Sequence, residues 1–261
     1  MNKIYSEKDF ENHFENGLKL NGYKKLQNTS YNSSLTLHPE DLLTFIKESQ
    51  LKQYKIIEKN FQERTDKLIC ERISDQLNSR GLLDVLKKGV GFNGARFELI
   101  FYEPNNKLNK DLTYLYNKNI LSFMRQVYFS VNTRQSVDTV IFLNGIPIIT
   151  IELKNSLTGQ TATDAVTQYI KDRSVSENLF QFKRCLVHFA LGNEEIFMTS
   201  KLNGLKTQFL PFNKDIINPI NPNGHKTSYL WEMILVKEQL FDIIQNYVFI
   251  KEDDNEKFDK S

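Results

Sequence analysis

Apolar residues recur every three or four positions in the first third of the chain and every second position in its middle. Phe10, Phe14 and Leu18 stand four apart, Ser6 and Asp9 resemble a capping box, and Gly22 supplies a stop, so the spacing predicts a first helix. Pro39, followed by Glu40 and Asp41, predicts a second helix over LHPEDLLTFIKES, with Pro at the first helical position and acids in the first turn. Ile56, Ile57, Phe61, Leu68, Ile69, Ile73 and Leu77 keep a mixed spacing that reads as one long amphipathic helix over 51–77. Gly81 then breaks the pattern ahead of a short helical LLDVLKK.

From about Arg96 the period shortens. ARFELIFYEP alternates and stops at Pro104, SFMRQVYFS follows, and VDTVIFLNGIPIITIELK carries Asn144-Gly145 between two β-branched runs, a strong hairpin signal. A polar loop, NSLTGQTAT, leads to a helix over TDAVTQYIKDR. RCLVHFALG, EEIFMTS and TQFLPF read as strands, and SYLWEMILVKEQLFDIIQNYVFI as an amphipathic helix. The order predicts an α/β (α+β) fold, a mixed central sheet flanked by helices with a helical N-terminal part. Residues 1–250 form one folded region in this reading, and KEDDNEKFDKS (251–261) a charged linker or tail.

Composition narrows the classes. With 19 Phe, 11 Tyr, 11 Gly and 6 Pro, the chain is neither disordered nor collagen-like. Cys70 and Cys185 lie in apolar patterns far apart, and the start MNKIYSEKDF lacks a signal-peptide core, so a reducing, cytoplasmic setting is expected. The most apolar stretch, Val137 to Leu153, is interrupted by Asp138, Asn144-Gly145, Pro147 and Glu152, so no membrane partner is expected. A formal net charge of +2 gives no basic footprint of its own.

Several motifs fail on context. Gly89 to Gly94 spells GxGxxG, but a helix precedes it and a strand follows, the reverse of a dinucleotide site. Gly224-His225-Lys226-Thr227 lacks the upstream Gly of a phosphate loop, so this chain alone should not hydrolyse ATP. His13, His38, His188 and His225 have no metal-like spacing, and His188 within an apolar strand reads as a satisfied core histidine.

One constellation survives: Asp138 at the start of the first hairpin strand, and Glu152-Leu153-Lys154 at the end of the second. Charges at the end of buried strands are costly unless paired or bound to a cation. Two carboxylates brought together make a hard-oxygen site suited to Mg²⁺, and a neighbouring lysine can offset phosphate charge. An exposed aspartate beside a strand-end Glu/Lys ion pair is the competing reading. A strict two-residue turn at Asn144-Gly145 sets Asp138 opposite Ile151 and puts Glu152 and Lys154 on the other face. The site therefore requires a one-residue irregularity between 137 and 152, from a bulge or a longer loop at Pro147.

Asp138…Glu152-x-Lys154 resembles the PD-(D/E)xK nuclease pattern. The run SVDTVIFLNGIPIITIELKN is similar to the nuclease segment of the endonuclease/motor (R) subunit of type I restriction-modification enzymes. So are GLLDVLKKGV, the Arg125-Gln126 stretch, FKRCLVHFALGNEEIFMTSKLNG, FLPFNK and KTSYLWE, so that the resemblance covers nearly the whole chain. It implies a restriction-endonuclease-like core, Asp138, Glu152 and Lys154 as catalytic triad, and Mg²⁺ held by Asp138, Glu152 and the Leu153 carbonyl. Related nucleases often carry QxxxY on the next helix. Here Asp172 stands four residues after Gln168, and the adjacent Tyr169 is taken as the substitute, orienting the site or touching DNA backbone. An acid on the first helix, Glu11 or Glu7, sometimes completes such sites, although a solvated helix face is the commoner role.

The resemblance further implies double-stranded DNA as substrate, specificity and methyltransferase subunits as partners, and a motor domain that uses ATP, whose motifs are not in these residues. Lys171, Arg173, Lys183 and Arg184, with Lys87, Lys88 and Arg96, are candidate phosphate contacts. A non-catalytic docking module joining motor to methyltransferase, or a stand-alone repair nuclease, are the alternatives.

Overall fold

The computed structural model describes residues 7–104, 106, 108–155 and 159–250. Ser6, residues 156–158 of the polar loop and the 251–261 tail lie outside them. Helix α1 (Glu7–Leu20) ends where Gly22 takes φ +83°, a left-handed stop that suits glycine. A short strand, β1 (Lys24–Leu26), follows unforeseen, because three residues carry too little pattern to read. Helix α2 (Pro39–Ser49) starts at the expected proline, and the His38 ring caps it by accepting from the Asp41 N–H at 3.2 Å.

The single helix expected over 51–77 is two: α3 (Leu51–Phe61) and α4 (Thr65–Arg80), separated by a tight turn at 62–64 with Gln62 at φ +50°. A straight helix of that length would run about 40 Å past a small core. The turn folds α4 back, so Asp66 receives the Tyr54 hydroxyl and the Lys47 ammonium, each at 2.8 Å. Phe61 meanwhile stacks on Phe92 with rings 5.7 Å apart. Helix α5 (Leu82–Lys88) follows Gly81 as expected.

The GxGxxG segment is a hairpin between β2 (Val90–Phe92) and β3 (Ala95–Phe97), with Asn93 and Gly94 at positive φ in its turn. Only the first residues of ARFELIFYEP are strand. Beyond them, side-chain amides replace a partner strand: Gln50 donates to the Glu98 carbonyl and accepts its N–H, both at 2.8 Å, and Asn119 does the same for Phe101. A further helix, α6 (Lys110–Asn117), precedes the remaining strands of the main sheet, which already includes β1.

That sheet joins β1 to β4 (Leu121–Tyr128), β5 (Ser136–Leu143), β6 (Ile146–Lys154), β7 (Val187–Gly192), β8 (Ile196–Thr199) and β9 (Leu210–Pro211), in that order. The β1/β4 and β6/β7 pairs are parallel and the rest antiparallel, so the α/β fold with a mixed sheet is as the pattern predicts. Parallel β6 and β7 require a crossover, which α7 (Ala162–Asp172) provides. Residues of β5 and β6 alternate between two cores: Ile141, Ile149, Ile151 and Leu153 in the larger, Val140 and Phe142 with Tyr169 and Phe180 in the smaller.

The C-terminal helix expected over 228–250 is also divided. Extended backbone at Val236 interrupts it before α8 (Lys237–Asp242), and one turn of π-helix lies on each side. The break lets the Leu235 carbonyl accept the buried Tyr23 hydroxyl at 2.7 Å. No described helix is long and apolar enough to cross a membrane, and Cys70 and Cys185 are buried and unbridged.

Candidate active site

The β5–β6 hairpin is held from its turn. Asn144 and Gly145 take φ +52° and +76°, the pair of left-handed residues that a two-residue turn needs. Asn144 is fully buried, and its side chain spans the neighbouring segments, accepting from the Ile120 N–H and donating to the Leu99 carbonyl and to Asn119. Gly145 lies under the start of α2, its carbonyl accepting the His38 N–H at 2.8 Å.

The pairing changes register after the second pair from the turn. Leu143 faces Ile146 and Phe142 faces Pro147, whereas Ile141 faces Ile149, so Ile148 is an extra residue. This is the irregularity that the site requires, at the position where Pro147 has no N–H to give the ladder. The Ile148 carbonyl is taken instead by the Leu186 N–H at 2.8 Å, from the β7 side. Beyond the bulge Thr139 faces Ile151, so the continuing register sets Asp138 against Glu152. Asp138, Glu152 and Lys154 therefore share one face at the end of the hairpin.

Asp138 is half-buried and well anchored. Its Oδ2 accepts the Leu153 N–H at 2.9 Å, its Oδ1 the Gln126 amide at 3.1 Å, and its carbonyl the Arg125 Nε at 3.2 Å. Arg125 in turn pairs with Glu11 of α1 at 3.0 Å, so that first-helix acid reaches the site through the arginine.

Glu152 is fully buried and asymmetric. Its Oε1 meets the Arg173 guanidinium through Nε and Nη2, both at 2.7 Å, while the buried Oε2 receives no N–H or O–H donor, and the carboxyl shares a hydrogen bond with Asp138 when it is protonated. Burial, then the negative charge of Asp138, outweigh Arg173 and push the Glu152 carboxyl up to about 8. Lys154 is half-buried at the strand end and makes neither an ion pair nor a side-chain hydrogen bond among the described residues.

Helix α7 covers this face, started by the reciprocal Thr161–Asp164 capping box. Its Tyr169 is fully buried and cannot touch a DNA backbone: the phenol bonds Thr150 at 2.8 Å, and Thr150 bonds His188 Nδ1 at 2.7 Å. His188 is thus the satisfied core histidine that the sequence suggests, its pKa lowered to about 3 by burial. Gln168 makes no hydrogen bond to the triad, and its Oε1 is buried without a partner.

Two of the candidate DNA contacts are internal. Arg184 is 1% exposed and donates to the Thr36 carbonyl at 2.7 Å, and Arg173, 5% exposed, serves Glu152 and the Ser136 carbonyl. Neither can neutralise a surface phosphate. Lys171, Lys183 and Lys87 stay exposed, while Lys88 pairs with Asp84 and Arg96 with Glu98.

Sequence reasoning missed the parts played by Arg173 and Gln126. An arginine after a helix reads as an ordinary end charge, and nothing local pairs it with a glutamate 21 residues earlier. Gln126 faces Asp138 only once β4 is registered on β5, which no short turn fixes.

Among the described residues no group of three or more His, Cys, Asp or Glu is arranged to hold a metal, so a cation here would rely on Asp138 and Glu152 with a carbonyl and solvent. The donor chemistry fits a hard divalent ion: an orphaned, buried carboxylate oxygen and a carboxyl reluctant to ionise both gain from one.

Two Methanocaldococcus jannaschii proteins are similar to this chain. One, assigned by name as the type I restriction enzyme MjaVIIIP endonuclease subunit, is 27% identical over 217 residues, 77% of this chain and 19% of that protein. The other, assigned as the MjaVIIP endonuclease subunit, is 22% identical over 193 residues, 67% of this chain and 16% of its own length. The chain thus spans less than a fifth of these relatives. The family described as the type I restriction enzyme R protein N terminus matches residues 4–207, a stretch that contains the whole hairpin and α7, and the chain belongs to that family.

Proposed function

We propose that this chain is the Mg²⁺-dependent nuclease region of a type I restriction enzyme, hydrolysing DNA phosphodiester bonds at Asp138, Glu152 and Lys154. The observation that carries the reading is the bulge at Ile148. It brings the two carboxylates to one face, close enough to raise the Glu152 carboxyl through charge and a shared hydrogen bond, and leaves Glu152 Oε2 buried without a donor. A hairpin that needed only to fold would not favour an underserved carboxylate at the end of a buried strand.

Asp138, Glu152 and the Leu153 carbonyl would hold the cation. When bound, it lowers the pKa of a water and offsets charge on the phosphate. The protein supplies the rest. Arg173 fixes Glu152 through Oε1 and keeps Oε2 available, Leu153 and Gln126 fix Asp138, and the Lys154 ammonium meets the phosphate and orients the attacking water. Tyr169, Thr150 and His188 form the dry wall behind the carboxylates.

The relatives named as endonuclease subunits are about five to six times as long as the matched stretch, which is 19% and 16% of their lengths. We propose accordingly that the region works in a cytoplasmic complex with a DNA-translocating motor, whose ATP use belongs to that motor, and with specificity and methyltransferase subunits. The deciding experiment uses the assembled enzyme. Lys154→Ala is expected to translocate DNA at the normal rate without cutting it, and unimpaired cutting would overturn the assignment.

A further inference from the structure

Gln126 has a backbone that its strand does not explain. It lies within β4 at φ +50°, a left-handed conformation that side-chain-bearing residues adopt at a cost in free energy. No inserted residue accounts for it: Arg125 faces Thr139 and Val127 faces Val137 in one unbroken register. The residue is also neither an asparagine nor a glycine, the types that tolerate such a φ best. The strain falls opposite Asp138, where the ladder pair between the two strands is missing.

What the distortion achieves is visible in the hydrogen bonds. The Gln126 carbonyl turns toward the Asn28 amide at 3.4 Å, and the Asp138 carbonyl is served by the Arg125 side chain at 3.2 Å. The Gln126 side chain then lies over the carboxylate, its Nε2 donating to Asp138 Oδ1 at 3.1 Å. Ser136 fixes which end of the amide faces the acid, because its hydroxyl donates to Gln126 Oε1 at 3.0 Å. Leu153 N–H holds the other oxygen, Oδ2, at 2.9 Å. A neutral amide suits this task, because it orients a carboxylate without neutralising it as an arginine would.

We propose that Gln126 is a positioning residue for Asp138, its strained backbone maintained so that the amide and the Leu153 N–H clamp the two carboxylate oxygens in one orientation. The consequence for cation binding rests on the nuclease reading, whereas the clamp itself does not.

The test measures the two separately in the intact chain. Hydrogen exchange of the Leu153 amide, followed by NMR, reports whether Asp138 is still held. Gln126→Ala, and the isosteric Gln126→Glu that sets an acceptor against a carboxylate, are each expected to speed it tenfold or more, with Ile149 and Ile151 unchanged. Gln126→Gly removes the amide but relieves the backbone, so its metal-free melting temperature should equal or exceed that of the parent while Leu153 exchange is fast. Unchanged Leu153 exchange in all three, or a Gly variant that melts lower with every sheet amide loosened alike, would overturn the proposal. Calorimetric titration with Mn²⁺ is the second readout: Gln126→Ala should weaken binding about tenfold and Asp138→Ala abolish it. Equal Mn²⁺ binding by parent and Asp138→Ala would remove the cation reading, with the exchange result still deciding the clamp.

Discussion

Glu152 gives the metal-free protein a pH dependence of unusual sign for a carboxylate. Its carboxyl is raised from an ordinary value of 4.5 to about 8, so the folded state holds a proton that the unfolded chain releases. The stability this contributes is fully present below about pH 4.5 and is lost as pH rises through about 8. At about 1.4 kcal/mol per unit of difference, the loss amounts to about 3 kcal/mol by pH 7 and about 5 kcal/mol by pH 9. Glu152→Gln keeps an oxygen for Arg173 and cannot ionise, so its stability should be nearly flat over that range. Urea unfolding in chelator at half-unit steps from pH 5 to 9 makes the comparison. Parent and variant curves should meet near pH 5 and diverge by several kcal/mol at pH 8.5, and added Mg²⁺ should close the gap for the parent alone. Parallel curves would refute the reasoning, showing that Glu152 ionises on folding as easily as in water.

Arg173→Met removes one side of a buried ion pair and should cost about 3–5 kcal/mol at pH 8.5 but less at pH 5, where Glu152 carries its own proton; a pH-independent loss in urea unfolding would contradict the pairing. Gly145→Ala sets a methyl 2.4 Å from the His38 carbonyl and 2.6 Å from the Leu42 nitrogen at a φ of +76°, so a loss of at least about 3 kcal/mol is expected, and one below 1 kcal/mol would mean that the turn is not docked under α2. Gln62→Gly relieves φ +50° between α3 and α4 and should raise stability by about 1 kcal/mol in the same assay, whereas a decrease would show that the Gln62 side chain matters more than its backbone.

The hairpin, the sheet class and the need for a register shift were legible because each depends on neighbours in sequence. An Asn-Gly turn fixes which residues face each other, and the count from it exposes a mismatch that only an extra residue repairs. The two divided helices were not legible: apolar spacing runs smoothly through Gln62 and Val236, and what breaks the helices is the offer of partners elsewhere, Asp66 for Tyr54 and the Leu235 carbonyl for Tyr23. The same limit separates Lys154 from Arg173. A lysine two residues after a strand glutamate is bound to that glutamate's face by the pleat, while Arg173 reaches it only because α7 crosses back over the sheet.

The Ile148 bulge makes the spacing between the two acids a matter of parity. With a two-residue turn, the sequence numbers of facing positions differ by an odd number, and Asp138 and Glu152, which differ by 14, face each other only because one residue is absorbed by the bulge. Insertions or deletions between them should therefore be tolerated in pairs, or singly when a bulge appears or disappears with them. A lone insertion would turn the glutamate and lysine into the larger core and Leu153 toward the aspartate. Length variation in this hairpin is governed by a rule of evenness, and the extra isoleucine sets the residue count that any redesign of the loop has to respect.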